Sequence, residues 1–373
     1  MSESLLDQLR PRLAEMTEQL GQLVSHESPS DDLQLLSVCS AAVAALGDQL
    51  LGVPAEPVEV EGRIHLVWRL GPVAEVLLVG HYDTVWPKGT LARWPFSVAD
   101  GVATGPGAFD MKAGIVQLFH ALSVLPRPLP VTVVLTADEE LGSQTSRTLI
   151  ESLAGGARAA LVLEPSVRGS FKVARKGTSM YEIHVEGRSA HAGLEPEKGI
   201  NATVELAHQV LAVSELGRPE MGTTVTPTVA SAGTTTNSVP AAAVLHIDAR
   251  ASEPEEQQRV DAAVRALTPV LSGAALRIEG GINRPPMPAS SSAELFERAN
   301  KVAAAMGLGQ FGGVAVGGAS DGNFTAGLGV PTLDGMGADG DGAHAEGEHV
   351  VLSTMPERAA VLAGLLTDLL SGA

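Results

Sequence analysis

Hydrophobic and polar residues follow two different patterns along this chain. In the first pattern, short and almost entirely apolar runs alternate with segments of helical spacing, as at 75–80, 131–137 and 159–165. Nearly unbroken apolar strands that alternate with helices predict a largely parallel sheet covered on both faces. Further strands are predicted at 57–60, 63–69 and 330–333, and helices at 3–24, 32–50, 111–124, 143–153, 293–306 and 354–370.

The second pattern begins after Glu164. Residues 179–187, 223–231 and 242–250 alternate with a period of two, which is typical of an antiparallel sheet with one solvated face. Helical patterns at 199–213 and 255–268 lie between these strands. The first pattern returns near residue 290, so the chain is predicted to carry an inserted α+β domain. The predicted boundaries give a catalytic domain in two parts, 1–176 and 285–373, and an inserted domain at 177–284.

Composition narrows the range of partners. The net charge is −18 and no run of basic residues occurs, which argues against nucleic acid or an anionic membrane surface as a partner. Cys39 is the only cysteine, so no intrachain disulfide and no thiolate zinc site can form. It lies in an apolar helical run and is predicted to be buried. Neither a signal sequence nor an apolar span of 18 residues is expected, which predicts a cytoplasmic protein.

Residues that can bind metals follow the ends of the three apolar strands. His81 and Asp83 follow the first strand, Glu139 and Glu140 the second, and Glu164 ends the third. Ligand sites in α/β sheets lie at the carboxyl ends of strands. Each residue also has a simpler interpretation: the two adjacent glutamates could be a solvated strand end, and Glu164 could pair with a lysine.

Two more residues extend this set. Asp110 precedes a predicted helix, where it could also be a plain helix cap, and His344 lies in a glycine-rich segment near the carboxyl terminus. Carboxylates and imidazoles without a thiolate fit two zinc ions, with Co²⁺ or Mn²⁺ as possible substitutes.

Six motifs then occur in one order along almost the whole chain. They are Gly80-His81-x-Asp83-Thr84, Gly105-x-Gly107-x-x-Asp110-Met111-Lys112, Asp138-Glu139-Glu140-x-Gly142, Leu163-Glu164-Pro165, Arg188-Ser189-Ala190-His191-Ala192-Gly193 and Gly342-x-His344-x-x-x-Glu348. On these motifs the chain resembles the M20-type zinc metallopeptidase and aminoacylase family, in particular its glutamate carboxypeptidase branch. The resemblance implies an α/β zinc-aminopeptidase-like catalytic domain with a mixed, largely parallel sheet, and an inserted α+β lid and dimerisation domain.

The resemblance also implies metal-site roles. His81 and Glu164 would hold one zinc, Glu140 and His344 the other, and Asp110 would bridge them. Asp83 would support His81, and Glu139 would be the general base. His349 also lies close to His344, but the family spacing favours His344.

In the inserted domain, His191 would stabilise the oxyanion, often across a homodimer, although it could be a surface histidine in a turn. Asn237 and Arg250 match positions that contact polar groups of the substrate, and a strand-end salt bridge is the alternative for Arg250. Arg284 would bind the carboxylate of the substrate. Lys172 would contact a side-chain carboxylate, unless it is a solvated lysine.

Gly318 belongs to a glycine loop whose N–H groups could line the pocket, or whose glycines could serve only close packing. The predicted activity is hydrolysis of the amide bond to a carboxyl-terminal amino acid, with glutamate or another acidic residue as the first expectation. The substrate would be a small peptide or an N-acyl amino acid. An N-acyl-amino-acid deacylase or a dipeptidase of the same fold is the alternative. A catalytically inactive ligand-binding relative is a further alternative, which the presence of Glu139 disfavours.

Overall fold

The computed structural model describes residues 4–371 and divides the chain into two compact units. The first unit contains residues up to 174, 289–316 and the chain from 320 onward, and the second contains 175–288 and 317–319. The predicted boundaries differ from this division by two residues at one junction and four at the other. Prediction did not anticipate that 317–319, which includes Gly318, groups with the second unit.

Helices and strands alternate through much of the chain. The helices are α1 (Leu5–Leu9), α2 (Leu13–Val24), α3 (Leu33–Leu51), α4 (Thr90–Arg93), α5 (Ala113–Ser123), α6 (Arg147–Ala154), α7 (Ala202–Ser214), α8 (Pro254–Arg265), α9 (Ala293–Ala305), α10 (Gly322–Gly327) and α11 (Met355–Leu370). The strands are β1 (Glu56–Val60), β2 (Arg63–Arg69), β3 (Val76–His81), β4 (Ser97–Ala99), β5 (Val102–Thr104), β6 (Val131–Thr136), β7 (Ala159–Val162), β8 (Phe171–Arg175), β9 (Gly177–Glu186), β10 (Ala190–His191), β11 (Thr224–Ala232), β12 (Ser238–Val239), β13 (Ala242–Ala251), β14 (Ala275–Arg284), β15 (Gly313–Val316), β16 (Thr332–Leu333), β17 (Gly340–Asp341) and β18 (His349–Val351).

The first unit is built on a six-stranded sheet in the order β1-β2-β6-β3-β7-β16. β3 pairs in parallel with both β6 and β7, β7 pairs in parallel with β16, and β1 and β2 are antiparallel. The mixed, largely parallel sheet is therefore confirmed. Every residue of β3 and β6 is buried, as their apolar sequences predict. His81 pairs with Thr136, so the residues that follow these two strands leave the sheet at the same edge.

Helix α3 packs against this sheet. Its Gly47 lies against the rings of Trp68 and Phe119, and its Cys39 is fully buried, as predicted. With 19 residues and a mean hydropathy of 1.4, this helix is long and apolar enough to cross a membrane by length and composition alone. The expectation that no 18-residue apolar span occurs was wrong. Because its buried face forms part of the core of the first unit, we interpret α3 as a core helix.

Several helix boundaries differ from the predictions. Residue 3, where the helix predicted at 3–24 would begin, lies outside the described residues. Within the described residues, a 3₁₀ turn at Arg10–Arg12 interrupts this helix. Pro11 lies in that turn, and proline cannot donate a helical hydrogen bond. The helix predicted from Met111 begins at Ala113, after a π-helical turn.

The second unit contains an antiparallel four-stranded sheet in the order β11-β13-β9-β14, as the period-two pattern predicts. Alternate residues of β9 are buried, and the buried apolar residues of α7 and α8 belong to the same core as theirs. Strand β14 was not predicted, because Gly280 and Gly281 interrupt its alternation. A separate two-stranded ribbon joins β10 to β12 and pairs His191 with Ser238.

Candidate metal centre

His81 ends β3, and its imidazole meets carboxylates on both sides. The Nε2 atom lies 3.3 Å from Asp110 Oδ1 and 3.5 Å from Glu164 Oε1. The Nδ1 atom lies 3.0 Å from the backbone oxygen of Asp83, which leaves Nε2 as the nitrogen that can bind a metal. The side chains of His81, Asp110 and Glu164 are close enough to hold one ion.

A second group forms on the other oxygen of Asp110. His344 Nε2 lies 3.4 Å from Asp110 Oδ2 and 3.1 Å from Glu140 Oε1. Asp110, Glu140 and His344 again offer ligand atoms within 4.8 Å of one another. Asp110 is thus shared by two groups of three ligands, the arrangement expected for a carboxylate that bridges two ions.

The chemistry of this cluster fits a pair of divalent ions. Asp110 Oδ1 is buried and accepts no hydrogen bond from residues 4–371, although a buried carboxylate oxygen is costly unless a cation or donor meets it. Three carboxylates converge here, and Lys172 lies near them, with its Nζ 3.3 Å from Glu164 Oε2. Imidazole and carboxylate ligands without thiolate suit zinc, cobalt or manganese.

The pKa values of the two imidazoles reflect the same excess of negative charge. The carboxylates of Asp110 and Glu140 raise the pKa of His344 to about 10. Burial opposes charging of His81, but the nearby carboxylates of Asp110, Asp83 and Glu164 outweigh it and raise the pKa of His81 well above its ordinary value. Without metal, protons therefore balance part of the negative charge, and bound ions would have to displace them.

Asp83 holds two parts of the cluster together. Its fully buried carboxylate lies 3.3 Å from His81 Nδ1 and accepts a 2.7 Å hydrogen bond from Ser30 Oγ. It also accepts hydrogen bonds from the backbone N–H groups of Glu139 and Glu140, each at 3.2 Å. These two glutamates form a 3₁₀ turn after β6, and Glu139 is buried in it. One carboxylate thus fixes the turn relative to the imidazole.

Asp110 is not the cap of a helix. Its backbone is extended, with φ −112° and ψ 96°, inside the π-helical turn Ala108–Lys112, and α5 begins three residues later. The peptide bond from Asp110 to Met111 is cis. The alternative interpretation of Asp110 as a simple helix cap was therefore wrong.

Glu348 holds this turn in place, and the sequence analysis assigned it no role. Its carboxylate is fully buried. Oε1 accepts hydrogen bonds from the N–H groups of Phe109 (2.8 Å) and Asp110 (2.9 Å). Oε2 accepts them from Gly107 N (3.2 Å) and Trp86 Nε1 (2.8 Å). Burial raises the pKa of Glu348, although these donors favour its charged form. In the sequence, the feature that could have indicated a role for Glu348 is its position four residues after His344, at the end of the last motif.

Glu164 is fixed through its backbone. Gly337 N donates a 2.9 Å hydrogen bond to the carbonyl of Glu164. A Cβ at Gly337 would lie 2.1 Å from the carbonyl oxygen of Leu163, so only glycine allows this approach. The nearby Lys172, predicted to contact the substrate, is almost buried and lies against Glu164.

Five of the predicted residues lie in the second unit. His191 and Asn237 are brought together there, because Ala192 N donates a 3.0 Å hydrogen bond to the carbonyl of Asn237. His191 is exposed, and its Nδ1 accepts a hydrogen bond from Gly193 N at 3.1 Å. The neutral ring therefore carries its proton on Nε2, ready to donate.

The other three residues of the second unit have local partners. Arg250 pairs with Asp248 at 2.8 Å, the salt bridge that was its alternative interpretation. Arg284 ends β14 and is buried, and its carbonyl accepts a 2.8 Å hydrogen bond from Gln257. The carbonyl of Gly318 accepts a hydrogen bond from Arg175 at 3.1 Å.

His349 lies outside the two ligand groups. Its Nδ1 lies 3.0 Å from the carbonyl oxygen of Gly347, and it begins β18. His344 is the histidine that meets Asp110, in agreement with the spacing argument.

Comparison with known proteins places the chain in a defined group. Residues 77–368 match the model of peptidase family M20/M25/M40. The chain is 33% identical over 313 residues to carboxypeptidase G2 of Pseudomonas sp. (strain RS-16), which covers 80% of this chain and 74% of that protein. Among solved structures, the aminopeptidase PepT of Bacillus cereus superposes with a TM-score of 0.72 at 21% identity, over 97% of this chain and 99% of the other. The M20 family metallo-carboxypeptidase Sso-CP2 of Sulfolobus solfataricus gives a TM-score of 0.71 at 16% identity, over 95% and 98% of the two chains.

The role of Glu348 gives a testable prediction. In Glu348→Gln the amide NH₂ would face N–H donors, so part of the buried hydrogen bonding to the Asp110 turn is lost. We expect zinc affinity to fall by roughly 10- to 100-fold, as for other residues that orient metal ligands. Competition with a chromogenic chelator measures this affinity. Glu346→Gln, an exposed change in the same segment, is the control. Unchanged zinc affinity in Glu348→Gln, with normal folding, would contradict the assignment.

Proposed function

The chain belongs to peptidase family M20/M25/M40, and on this premise we propose that it is a two-metal hydrolase that releases an amino acid with a free α-carboxylate. The acyl side of its substrate is a small peptide or a simple acyl group. The observation that carries the proposal is the sharing of Asp110 by two ligand groups, with Glu139 adjacent to the ligand Glu140.

The proposed ligands follow from this geometry. His81 and Glu164 would hold one ion, Glu140 and His344 the other, with Asp110 between them. Bound divalent ions would polarise the scissile carbonyl and make a water molecule more acidic.

The side chains around the ions carry the proton transfers. Glu139 takes a proton from the attacking water as the new C–O bond forms, and then gives it to the leaving nitrogen as the C–N bond breaks. The Nε2–H group of His191 donates a hydrogen bond to the carbonyl oxygen as negative charge develops there. The hydrogen bond from Gly193 N to Nδ1 supports this role, because it selects the tautomer that donates from Nε2.

The proposed substrate class rests on a positively charged side chain, Arg284, in a chain whose net charge is negative. We assign the α-carboxylate of the leaving amino acid to Arg284, because a guanidinium binds a carboxylate through two parallel hydrogen bonds. Similarity to a relative named carboxypeptidase G2 supports a carboxypeptidase reaction. An acidic leaving residue, glutamate first, is the preferred candidate.

Asn237 and Arg250 are proposed to contact other polar groups of the substrate, and the N–H group of Gly318 to line its pocket. Deacylation of N-acyl amino acids and cleavage of dipeptides remain the alternatives within this fold. The intact pair of Glu139 and Glu140 disfavours a ligand-binding role without catalysis, since a binding protein needs no general base.

We also propose that the protein is a homodimer formed through the second unit, with a cytoplasmic location as predicted from the sequence. Strand β11 is at the edge of its sheet, where one side offers backbone groups to another chain. The neighbouring helix α7 exposes Leu211 (66%) and Val204 (43%), and β11 exposes Val229 (57%). Exposed apolar side chains on an element beside an unpaired strand edge are typical of an interaction surface.

The dimer proposal has a direct test. Light scattering is expected to give twice the chain mass of 38.4 kDa for the natural protein. Leu211→Glu should shift it to the monomer mass, because a charge is introduced into an apolar contact. A natural protein that is monomeric at micromolar concentration would refute the proposal.

The role of Glu139 predicts a separation of metal binding from catalysis. Glu139→Gln keeps the shape of the side chain but cannot accept the proton, so kcat should fall by about 10²- to 10⁴-fold. Zinc content, measured by elemental analysis, should stay the same. The adjacent Glu140→Gln is the contrast, since it should lose zinc. Glu139→Gln with natural rates would end the assigned role.

The role of Arg284 predicts a binding defect. Arg284→Ala should raise KM by roughly 10-fold or more for N-acyl amino acids with a free carboxylate, because a charge-assisted hydrogen bond contributes about 1.5–3 kcal/mol. The corresponding amino acid amides serve as the control and should show little change. If the natural enzyme preferred the uncharged amides, the carboxypeptidase assignment would be wrong.

A further inference from the structure

A cavity of about 560 Å³ lies beside Asp110 within the first unit. Two loops, 165–170 and 340–343, form much of its wall, and Lys172 and Val314 complete it. Because Asp110 is the carboxylate shared by both ligand groups, a group bound at this end of the cavity would lie close to the proposed metal site. The cavity is large enough for a substituent of several non-hydrogen atoms.

Arg168 is an exposed cation on this wall. It lies in a tight turn in which Val167 and Ser170 exchange backbone hydrogen bonds at 3.0 and 2.9 Å, and Ser166 Oγ accepts a bond from Gly169 N. The backbone of Arg168 is left-handed, with φ 49°. This conformation is uncommon for a long side chain and suits glycine or asparagine better. A feature of this kind in a cavity wall is a reason to ask what the side chain binds.

The charges in the cavity distinguish Arg168 from Lys172. The ammonium group of Lys172 is 3.3 Å from Glu164, so its charge is largely balanced by a proposed metal ligand. Arg168, in contrast, makes no ion pair or side-chain hydrogen bond with any residue between 4 and 371. The carboxylate of Asp341 also lines the cavity. Arg168 is therefore the cation of this wall that is available to a ligand.

The remaining wall suits a short apolar chain. Phe109, Pro165 and Val314 contribute apolar surface, and Ser166 and Ser170 contribute hydroxyl groups. A guanidinium can bind a carboxylate through two parallel hydrogen bonds, since its fork matches the two oxygens. The matching ligand is thus a carboxylate at the end of a short carbon chain.

We propose that Arg168 is a specificity-determining residue, which binds a second carboxylate of the substrate in this cavity. This carboxylate is distinct from the α-carboxylate of the leaving amino acid, and the inference rests on the proposed hydrolysis. It belongs either to the side chain of the leaving amino acid or to the acyl group. Both sources present the same chemistry to Arg168.

The test uses two matched pairs of substrates. N-acetylglutamate and N-acetylglutamine differ in the charge of the leaving side chain, and N-succinylalanine and N-butyrylalanine differ in the charge of the acyl group. The variant is Arg168→Asn, because asparagine accepts the left-handed backbone and removes the charge. Arg168→Lys keeps a charge without the fork. Arg158→Asn, an exposed arginine paired with Glu75 at the opposite end of the strands, is the matched control.

The expected result is a KM that rises roughly tenfold in Arg168→Asn for the charged member of one pair, equivalent to about 1.4 kcal/mol. The neutral member and kcat should change less than about twofold, and Arg168→Lys should recover part of the loss. The pair that responds identifies the source of the carboxylate. Equal effects on charged and neutral members, or no effect on either pair, would overturn the inference.

A failure of the proposed hydrolysis can be distinguished from a failure of the proposed role of Arg168. If the natural protein, loaded with zinc, cleaves none of the four compounds, calorimetry with glutarate and butyrate tests the cavity by itself. Glutarate affinity should then fall roughly tenfold in Arg168→Asn while butyrate stays unchanged. Equal glutarate affinity in the natural protein and Arg168→Asn would contradict the role of Arg168 whatever the reaction is.

Discussion

The convergence of like charges at one edge of the largely parallel sheet is the constraint on which this structure depends. Asp110, Glu140 and Glu164 meet there with two imidazoles, and mutual repulsion would separate them without a cation or strong positioning. Asp83 and Glu348 provide the positioning. Each is a fully buried carboxylate that accepts hydrogen bonds from backbone N–H groups of the ligand-bearing turns. The fold thus stabilises the cluster through two neighbouring carboxylates that are not themselves proposed metal ligands. The side chains of the cluster itself are left to bind metal ions.

Much of this arrangement was predictable because it follows from strand order. Largely apolar runs of six or seven residues identified β3, β6 and β7, and the parallel register of these strands brings the residues after them to one edge. His81, Glu140 and Glu164 could therefore be expected near one another. Asp110 and His344 lie on loops, so periodicity alone could not place them. Their residue types made them candidates, and the motif order assigned them to the site.

The remaining features depend on tertiary contacts that no local pattern encodes. Strand β14 contains two glycines and gains its partners only from β9, so its sequence does not alternate. The helix predicted from Met111 is preceded by a turn with non-helical backbone at Asp110 and Met111. Glu348, 238 positions away from Asp110, accepts hydrogen bonds from N–H groups of this turn. No local sequence pattern distinguishes Arg168, because its proposed role depends on the cavity that it lines. Residues 317–319 group with the second unit through contacts such as that between Arg175 and Gly318.

The central proposal is that the five side chains of this cluster would hold two metal ions at this sheet edge, with Asp110 shared between them. Crystals of the zinc-loaded protein, measured on both sides of the zinc absorption edge, test it directly. The account predicts two anomalous peaks about 3.5–4 Å apart, one between His81 and Glu164 and the other between Glu140 and His344, each within bonding distance of Asp110. A single peak, or zinc bound elsewhere while these five side chains remain without metal, would contradict it.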